Sequence, residues 1–187
     1  MRPEEFRRET GVSRETVARL KTYAALLVKW TRTVNLVSQK SLADLWRRHM
    51  LDSAQLLPLL PAAPDGRRRV VLDLGSGAGF PGMVLSILGA GDVHLIESNQ
   101  RKVAFLREVA REVGSDCHIH GLRIEELSPF TVDVVTARAF APLDRLLDYG
   151  APFLDPAQAA VGQPLAHALF LKGGRAEEEL TRARKRW

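Results

Sequence analysis

The first third of the chain has the spacing of amphipathic helices. Apolar residues recur at steps of three, four and seven from Val17 to Val34, and Ser13 precedes them as a candidate N-cap. Asn35 to Ser38 interrupts this pattern, and Ser41 is placed to cap a second helical stretch. A segment of prolines and alanines then closes the helical part. The pattern therefore predicts an N-terminal helical extension over residues 1–66.

Beyond residue 66 the pattern changes to short apolar runs that alternate with helical segments. The predicted strands are Arg69–Leu74, Val93–Glu97, Asp116–His120, Val132–Ala137 and His167–Leu171. The predicted helices are Pro81–Leu88, Asn99–Val113 with Ser98 as its cap, Pro142–Leu147 and Arg175–Trp187. This alternation predicts an α/β core over residues 67–187, with a mostly parallel sheet and helices on both faces. Ligands bind such sheets beyond the carboxyl ends of the strands.

Composition excludes several classes of protein. A chain of 187 residues can bury a stable core, and its single cysteine, Cys117, excludes a disulfide scaffold and a multi-cysteine zinc site. No apolar run approaches the roughly 20 residues that span a bilayer. The first ten residues are charged, unlike a secretory signal. We therefore expect a cytoplasmic protein that does not contact a membrane.

The net charge of +5 is unevenly distributed. Residues 1–69 carry a net charge of +7, residues 70–150 carry −4, and the remainder carries +2. Basic ends around an acidic middle fit a surface that binds a polyanion, but they fit ordinary solvated helix faces equally well. Charge alone therefore leaves both interpretations open.

A glycine-rich turn follows the first predicted strand. Gly77, Gly79 and Gly82 match the dinucleotide pattern G-x-G-x-x-G, whereas Gly75, Gly77 and Gly79 after Asp73 are typical of the nucleoside-binding turn of S-adenosylmethionine methyltransferases. A dinucleotide places its pyrophosphate at the start of the next helix, where Asp73 would repel it. S-adenosylmethionine carries an ammonium and a sulfonium instead, which an acid favours. The turn therefore favours S-adenosylmethionine.

Two further segments predict cofactor contacts. Glu97 ends the second strand, where a carboxylate accepts hydrogen bonds from both hydroxyls of a ribose, and Ser98 is adjacent to it. The segment 123–126 follows the third strand, where an adenine ring would lie, although this segment alone is a weak signal. We therefore place the nucleoside between these two strand ends.

The segment after the fourth strand, 136–140, limits which kind of atom can accept the methyl group. It lacks the Asn/Asp-Pro-Pro-aromatic turn typical of adenine and amide methyltransferases, and the cysteine needed for pyrimidine C5 methylation lies elsewhere, at Cys117. No Lys or His is clearly placed as a base for a hydroxyl. An atom that is already nucleophilic, such as guanine N7, needs only alignment and exclusion of water. Arg138 can pair with a phosphate or guanine O6, or alternatively form an ion pair with Asp144.

One short motif has the spacing of metal ligands. Cys117, His118 and His120 follow each other closely, but strand alternation separates the cysteine from the two histidines. No second group of ligands lies nearby in the sequence. The sequence therefore predicts no metal site.

The chain resembles the bacterial small-subunit ribosomal RNA guanine-N7 methyltransferases, the glucose-inhibited division protein B family. The glycine turn alone indicates only a methyltransferase. The segments that make the resemblance specific are Arg48-His49 with Asp52-Ser53, and Arg138-Ala139-Phe140. Further matching residues are Trp30, Asn35, Leu36, Glu97, Ser98, Arg101, Lys102, Phe105, Leu106, the segment 123–126, and Leu171, Lys172 and Gly173.

The resemblance implies an activity and a set of site residues. It implies methyl transfer from S-adenosylmethionine, with S-adenosylhomocysteine as product, to guanine N7 of small-subunit (16S) ribosomal RNA within ribosomal particles. The implied cofactor contacts are Gly75, Phe80, Ile124, Glu125 and Arg138. The residues implied to face the RNA are Arg123, Arg138 and Lys172, with Asn35, Arg48 and His49 at the pocket mouth. We expect the protein to act as a monomer.

Some expectations depart from this resemblance. The family continues beyond its fifth strand and helix with a β-hairpin, which we expect to be missing because the sequence stops at Trp187, and residues 155–164 are expected to form an extra loop. Two other functions stay open. One is a nicotinamide-dependent oxidoreductase that uses Gly77, Gly79, Gly82 and Glu97. The other is a non-catalytic RNA-binding relative.

Overall fold

The computed structural model describes residues 1–63, 66–138, 141–154 and 167–187. One five-stranded sheet comprises β1 Val70–Leu74, β2 Asp92–Ile96, β3 His118–His120, β4 Val134–Arg138 and β5 His167–Leu171. The strands lie in the order β3-β2-β1-β4-β5, and all neighbouring pairs are parallel. The predicted parallel sheet is confirmed. Its connections diverge between β1 and β4, the position where such sheets open a ligand crevice.

The helices flank the sheet and precede it. They are α1 Pro3–Thr10, α2 Arg14–Thr31, α3 Gln39–Leu42, α4 Asp52–Ala54, α5 Gly82–Ile87, α6 Gln100–Val113, α7 Leu143–Leu154 and α8 Ala176–Ala183. A π-helical turn spans Trp46–Leu51, and 3-10 turns span Leu57–Leu59 and Ile124–Glu126. The Ser13 hydroxyl caps α2 as predicted.

Four predicted helix ends are wrong, one of them at α8, which ends at Ala183 rather than at Trp187. Asn99 rather than Ser98 caps α6, because its side chain accepts from two backbone N–H groups of the first turn. Ser38 rather than Ser41 caps α3. The helix α7 continues to Leu154 with Pro152 inside it, well beyond the predicted end at Leu147. In the two capping errors a neighbouring residue of equal capping ability takes the position, which sequence alone does not distinguish.

Alternation along β1 divides the core between the two faces of the sheet. Val71 belongs to the larger hydrophobic cluster, with side chains from α2, α5 and α6. Leu72 and Leu74 belong to a smaller cluster, where Leu146 and Phe153 of α7 cover them. Helices therefore cover both faces, as predicted.

The N-terminal helices share the larger cluster with the sheet. Phe6, Leu20, Tyr23 and Leu27 are fully buried, and all four lie in the same cluster as Phe105 of α6. The extension predicted over residues 1–66 therefore packs directly on the core rather than on a separate one. This packing brings Tyr23 and the π-helical turn to the carboxyl ends of the strands, beside the turn that follows β1.

Two expectations from the sequence concern the region around β5, namely a missing final β-hairpin and an extra loop over residues 155–164. Within the described ranges β5 is an edge strand, paired only with β4. The expected extra loop over residues 155–164 lies outside the described residues, as do Ala139 and Phe140.

None of the described helices combines the length and hydropathy that crossing a bilayer requires.

Candidate active site

The glycine turn lies between β1 and α5, at the carboxyl edge of the sheet. Gly75, Gly77 and Gly79 have φ angles of 61°, 60° and 95°, which residues with a Cβ rarely adopt. At Gly79 a Cβ would lie 2.7 Å from the Tyr23 hydroxyl, whereas at Gly77 the nearest atom would be the Gly75 carbonyl oxygen at 3.8 Å. Gly79 therefore serves close packing, and Gly77 leaves open space beside the turn.

Asp73 lies beneath the turn and is fully buried. Its Oδ2 accepts from the Gly82 N–H at 3.1 Å, and its Oδ1 accepts from the Thr136 hydroxyl at 3.0 Å. Burial raises the pKa of Asp73 to about 6, although hydrogen bonds from Ser76, Thr136 and Gly82 act in the opposite direction. Full burial closes the Asp73 carboxylate off from solvent, whereas the sequence predicted it beside the cofactor's cationic groups.

Aromatic rings stack where the turn ends. The buried Phe80 ring stacks with Tyr23, with centroids 5.3 Å apart, and with His49, with centroids 4.8 Å apart. The Tyr23 hydroxyl donates to the Ala78 carbonyl inside the turn. Burial raises the pKa of Tyr23 well above its usual range, so the hydroxyl stays a donor. The N-terminal helices thus fix the shape of the glycine turn.

Arg138, the last residue of β4, lies over the Phe80 ring, with Cζ 4.7 Å from the centroid. Its Nη1 donates to the Arg48 carbonyl at 3.0 Å, and its Nη2 lies 2.8 Å from His49 Nδ1. Burial lowers its pKa, but an arginine remains charged at neutral pH. Arg138 and Asp144 form no ion pair, and the two groups that bind the guanidinium directly are uncharged. The carboxylates of Asp73 and Asp52 act on it only from beyond hydrogen-bond distance.

The contact with Arg138 fixes the tautomer of His49. Arginine has no acceptor, so Nδ1 must accept, and the proton of the neutral ring is on Nε2. Burial and the charges of Arg138 and Arg48 lower the pKa of His49 to about 4, so the ring is neutral at pH 7. His49 is only 7% exposed, and its Nε2 has no hydrogen-bond partner among the described residues. Leaving such a donor unpaired costs about 1–3 kcal/mol.

Local structure explains how His49 reaches this position. It lies in the π-helical turn Trp46–Leu51, a rare conformation that recurs at functional sites. The same turn presents the Arg48 carbonyl to Arg138. The turn therefore supplies both neutral partners of the guanidinium.

A cleft opens beside the glycine turn, across the carboxyl ends of β1, β2 and β3. Its lining residues are Gly75, Ile96, Glu97, Ser98, Leu122, Arg123, Ile124, Glu125 and Tyr149. Glu97 accepts from the Gly77 N–H at 2.9 Å and from the Asn99 N–H at 2.8 Å. The structure thus brings together Gly75, Glu97, Ser98, Ile124 and Glu125, five of the predicted cofactor residues.

The residues predicted to contact RNA divide into three kinds. Asn35, Arg48 and Arg123 are exposed, whereas His49 is buried. Lys172 forms an ion pair with Glu179 at 2.6 Å and donates to the Ala141 carbonyl at 2.8 Å. Only 13% of the Lys172 side chain is exposed. The position of Lys172 differs from the predicted RNA-facing one, because Glu179 of α8 draws the ammonium inward.

Sequence reasoning missed three residues of this region: Tyr23, Thr136 and Tyr149. Tyr23 lies between Leu20 and Leu27 on the apolar stripe of α2, so its periodic position was the available signal. Thr136 was within the predicted fourth strand, but its partner Asp73 is 63 residues away. Tyr149 lies in the part of α7 that was not predicted. Only the tertiary fold brings these groups to the site.

The fold and the turn define a Rossmann-like S-adenosylmethionine-dependent methyltransferase. A solved structure of similar fold is magnesium protoporphyrin IX methyltransferase (ChlM) from Synechocystis PCC 6803 with bound SAM. Its TM-score is 0.57 at 16% identity, over 92% of this chain and 84% of that one. The family model for rRNA small subunit methyltransferase G (GidB) matches residues 16–187. This chain belongs to that family.

Two curated relatives, both ribosomal RNA small subunit methyltransferase G, match the whole chain. The protein from Paramagnetospirillum magneticum is 55% identical and is covered over 85% of its length. The protein from Rhodospirillum rubrum is 54% identical and is covered over 87% of its length. The resemblance predicted from the sequence is therefore confirmed. The oxidoreductase and non-catalytic alternatives receive no support.

Proposed function

We propose that this protein transfers a methyl group from S-adenosylmethionine to N7 of a guanine in small-subunit (16S) ribosomal RNA. Family membership and the names of both relatives support the ribosomal substrate. The observation that carries the proposed site is the Arg138 guanidinium, held by neutral partners over Phe80. A guanidinium held in this way can donate hydrogen bonds to an anionic or carbonyl oxygen of a ligand.

The chemistry of the cleft fits S-adenosylmethionine. Glu97 is held by two backbone N–H groups but retains lone pairs for ribose hydroxyls, and Ser98 is adjacent. Ile124 and Glu125 offer an apolar wall and an acceptor suited to an adenine ring and its amino group. The open space at Gly77 lets the nucleoside approach the backbone. Bound there, S-adenosylmethionine supplies an electrophilic methyl group on its sulfonium.

In this proposal the remaining predicted cofactor residues shape the glycine turn and do not contact the cofactor with their side chains. The Phe80 ring is buried against Tyr23 and His49, so we assign its contact with the cofactor to its backbone. Asp73 and Gly79 shape the turn from beneath, because Asp73 is fully buried and a Cβ at Gly79 would lie 2.7 Å from the Tyr23 hydroxyl.

Guanine N7 needs no base. Its lone pair is free at neutral pH and forms a bond to the methyl carbon while the carbon–sulfur bond breaks, and the sulfur departs as a neutral thioether. The chain then contributes alignment and exclusion of water. We assign Arg138 as the catalytic residue, because a guanidinium can hold guanine O6, the neighbour of N7 on the same edge of the base.

We assign His49 as a positioning residue in this reaction. Its neutral ring accepts from Arg138 and fixes the direction of the guanidinium. Its buried Nε2–H, which has no partner in the described part of the chain, is a donor that a reactant in the site can satisfy. Asn35, Arg48 and Arg123, which are exposed, are the proposed RNA contacts around this centre.

Methyl transfer from labelled S-adenosylmethionine to unmethylated small-subunit particles tests the proposal. Chemical cleavage at 7-methylguanosine then maps the modified nucleotide. We expect label at a guanine N7, and titration calorimetry that shows binding of S-adenosylmethionine but not of NAD. Absence of transfer despite cofactor binding would support a non-catalytic RNA-binding protein, and label at another atom would overturn the assignment of N7.

We also propose that the protein acts in the cytoplasm as a monomer. Its proposed substrate, the ribosomal particle, supports the compartment. Sedimentation of the purified chain measures the oligomeric state, and a concentration-independent mass of 20.8 kDa is the expected result.

A further inference from the structure

A cluster of histidines lies on one face of the sheet, on β2 and β3, away from the glycine turn. In the sheet register His94 pairs with His118, so their side chains lie on the same face, as do those of Asp92 and His120, two positions away. Ligand atoms of Asp92, His94 and His118 all lie within 4.8 Å of one another. The second group of ligands that is missing from the local sequence around His118 is therefore supplied by the neighbouring strand.

The spacing of these atoms is close to that around one metal ion. His118 Nε2 lies 3.0 Å from Asp92 Oδ1, and His94 Nε2 lies 3.7 Å from Asp92 Oδ2. Tetrahedral zinc with bonds of about 2.0–2.1 Å places neighbouring ligand atoms about 3.3 Å apart. The two observed distances, each to a different oxygen of Asp92, lie on either side of this value. All three ligand atoms lie within 4.8 Å of one another, so side-chain rotation has to bring them onto one ion.

His120 provides the support that a metal-binding histidine needs. His94 Nδ1 lies 2.9 Å from His120 Nε2, and the two rings stack with centroids 5.2 Å apart. When Nδ1 donates its proton to His120, the Nε2 lone pair of His94 faces Asp92. Histidine ligands in metal sites are commonly oriented by such a bond from the other ring nitrogen.

We propose that Asp92, His94 and His118 form a binding site for a divalent metal ion of the zinc class, with His120 orienting His94. Two imidazoles and one carboxylate suit this ion, and a three-ligand set leaves a coordination position for water. The side chains of Asp92 and His118 are 35% and 54% exposed, which gives the ion a path of entry. The ion would join the three-residue edge strand β3 to β2. The segment after β3 contributes Leu122–Glu125 to the cleft, so the ion would also steady that wall.

Metal titration of the full chain tests this site directly. The chain, free of any histidine tag and treated with a chelator, is titrated with Zn²⁺ by calorimetry and with Co²⁺ by visible absorption. We expect one ion per chain, with micromolar or tighter affinity and the visible absorption of tetrahedral Co²⁺. Absence of stoichiometric binding would overturn the proposal.

Variants assign the ion to these ligands. His118→Gln and Asp92→Asn change partly exposed side chains, so both should fold, and each should weaken binding at least about tenfold. His120→Gln should weaken it about tenfold, because it removes the ring that orients His94. His167→Gln, at an exposed histidine of β5, is the matched control and should bind normally. Equal affinities of His118→Gln and His167→Gln would overturn the assignment.

A second measurement does not depend on affinity. Hydrogen exchange of the backbone amides in 118–126 should slow on addition of Zn²⁺ to the wild-type chain but not to His118→Gln. Unchanged exchange in the zinc-loaded wild type would contradict the proposed link between β2, β3 and the cleft wall.

Discussion

Arg138 and Lys172 are two cations at the carboxyl ends of neighbouring strands, β4 and β5. They differ in the groups that bind them. The Arg138 guanidinium is held by a carbonyl oxygen, an imidazole nitrogen and a ring face, all without charge. The Lys172 ammonium lies 2.6 Å from the carboxylate of Glu179. The first charge therefore remains available to a ligand, whereas the second is largely cancelled within the protein.

This difference indicates which of the two basic residues takes part in methyl transfer. Arg138 is partly buried, and no carboxylate binds it directly, although the charges of Asp73 and Asp52 favour its cation from further away. Such a cation gains stability when a ligand completes its environment. The partly buried ion pair of Lys172 and Glu179 is complete without any ligand. The resemblance implies that both residues face the RNA, but only Arg138 is held by partners that carry no charge.

The largest effect is expected for Arg138→Lys. Lysine keeps the charge but loses the planar fork, so it cannot reach the Arg48 carbonyl and His49 while also meeting a ligand. We expect kcat/KM for methyl transfer to particles to fall by about 10²–10³-fold, the range for loss of a preorganised electrostatic contact. Arg182→Lys, at an exposed position of α8, is the matched control. A loss of less than about threefold for Arg138→Lys would remove it from the proposed mechanism.

A smaller loss, of about 10–100-fold, is expected for His49→Phe. Phenylalanine preserves the stack on Phe80 but removes the acceptor for Arg138 and the buried Nε2–H. His49→Asn retains an acceptor near the Nδ1 position and should recover part of the activity. The affinity for S-adenosylhomocysteine, measured by calorimetry, reports on the site without turnover. Equal losses in both variants, matched by equal losses of thermal stability, would show that His49 is only a packing residue.

The strands and the glycine turn could be predicted from the sequence because their signals are local. Apolar runs ending in glycine mark β1, and helical spacing marks α2 and α6. The electrostatic setting of Arg138 and Lys172 could not be predicted, because each depends on a contact between distant segments. Arg138 meets His49 across 89 positions.

The same limit applies to the histidines of the sheet. Strand alternation correctly separates Cys117 and Ile119, which pack against the larger core, from His118 and His120. However, His94 joins these histidines only because β2 and β3 are adjacent in this register. The sequence contains the ligands but not the pairing that assembles them.

The pH dependence of stability distinguishes the buried acid beneath the turn from the buried base beside it. The pKa of Asp73 is raised to about 6, so the folded state binds its proton first and gains stability as the pH falls from 6 towards 3.8. The pKa of His49 is lowered from 6.5 to about 4 beside Arg138 and Arg48, so the folded state loses stability as the pH falls through that range. The two contributions therefore have opposite slopes.

Urea unfolding of the wild type, Asp73→Asn and His49→Phe between pH 7 and pH 5 measures these slopes. On acidification, the stability advantage of the wild type over Asp73→Asn should grow, and its advantage over His49→Phe should shrink. Each slope is at most about 1.4 kcal/mol per pH unit, the value for one proton. Parallel pH profiles for the two variants would contradict the assigned burial of one or both groups.

The smallest effect is expected for Lys172→Met, compared with Arg123→Met. Because Glu179 already pairs with Lys172 and has its pKa lowered by that contact, losing the ammonium should change particle affinity by less than about threefold, within the range for weak ion pairs. Arg123 is exposed, and its loss should reduce the slope of log K against log salt by about one, the release of one counterion. Filter binding at several salt concentrations measures both slopes. If Lys172→Met also reduced the slope by about one, the ammonium would have to leave Glu179 when RNA binds, and the contrast between the two strand ends would hold only for the free protein.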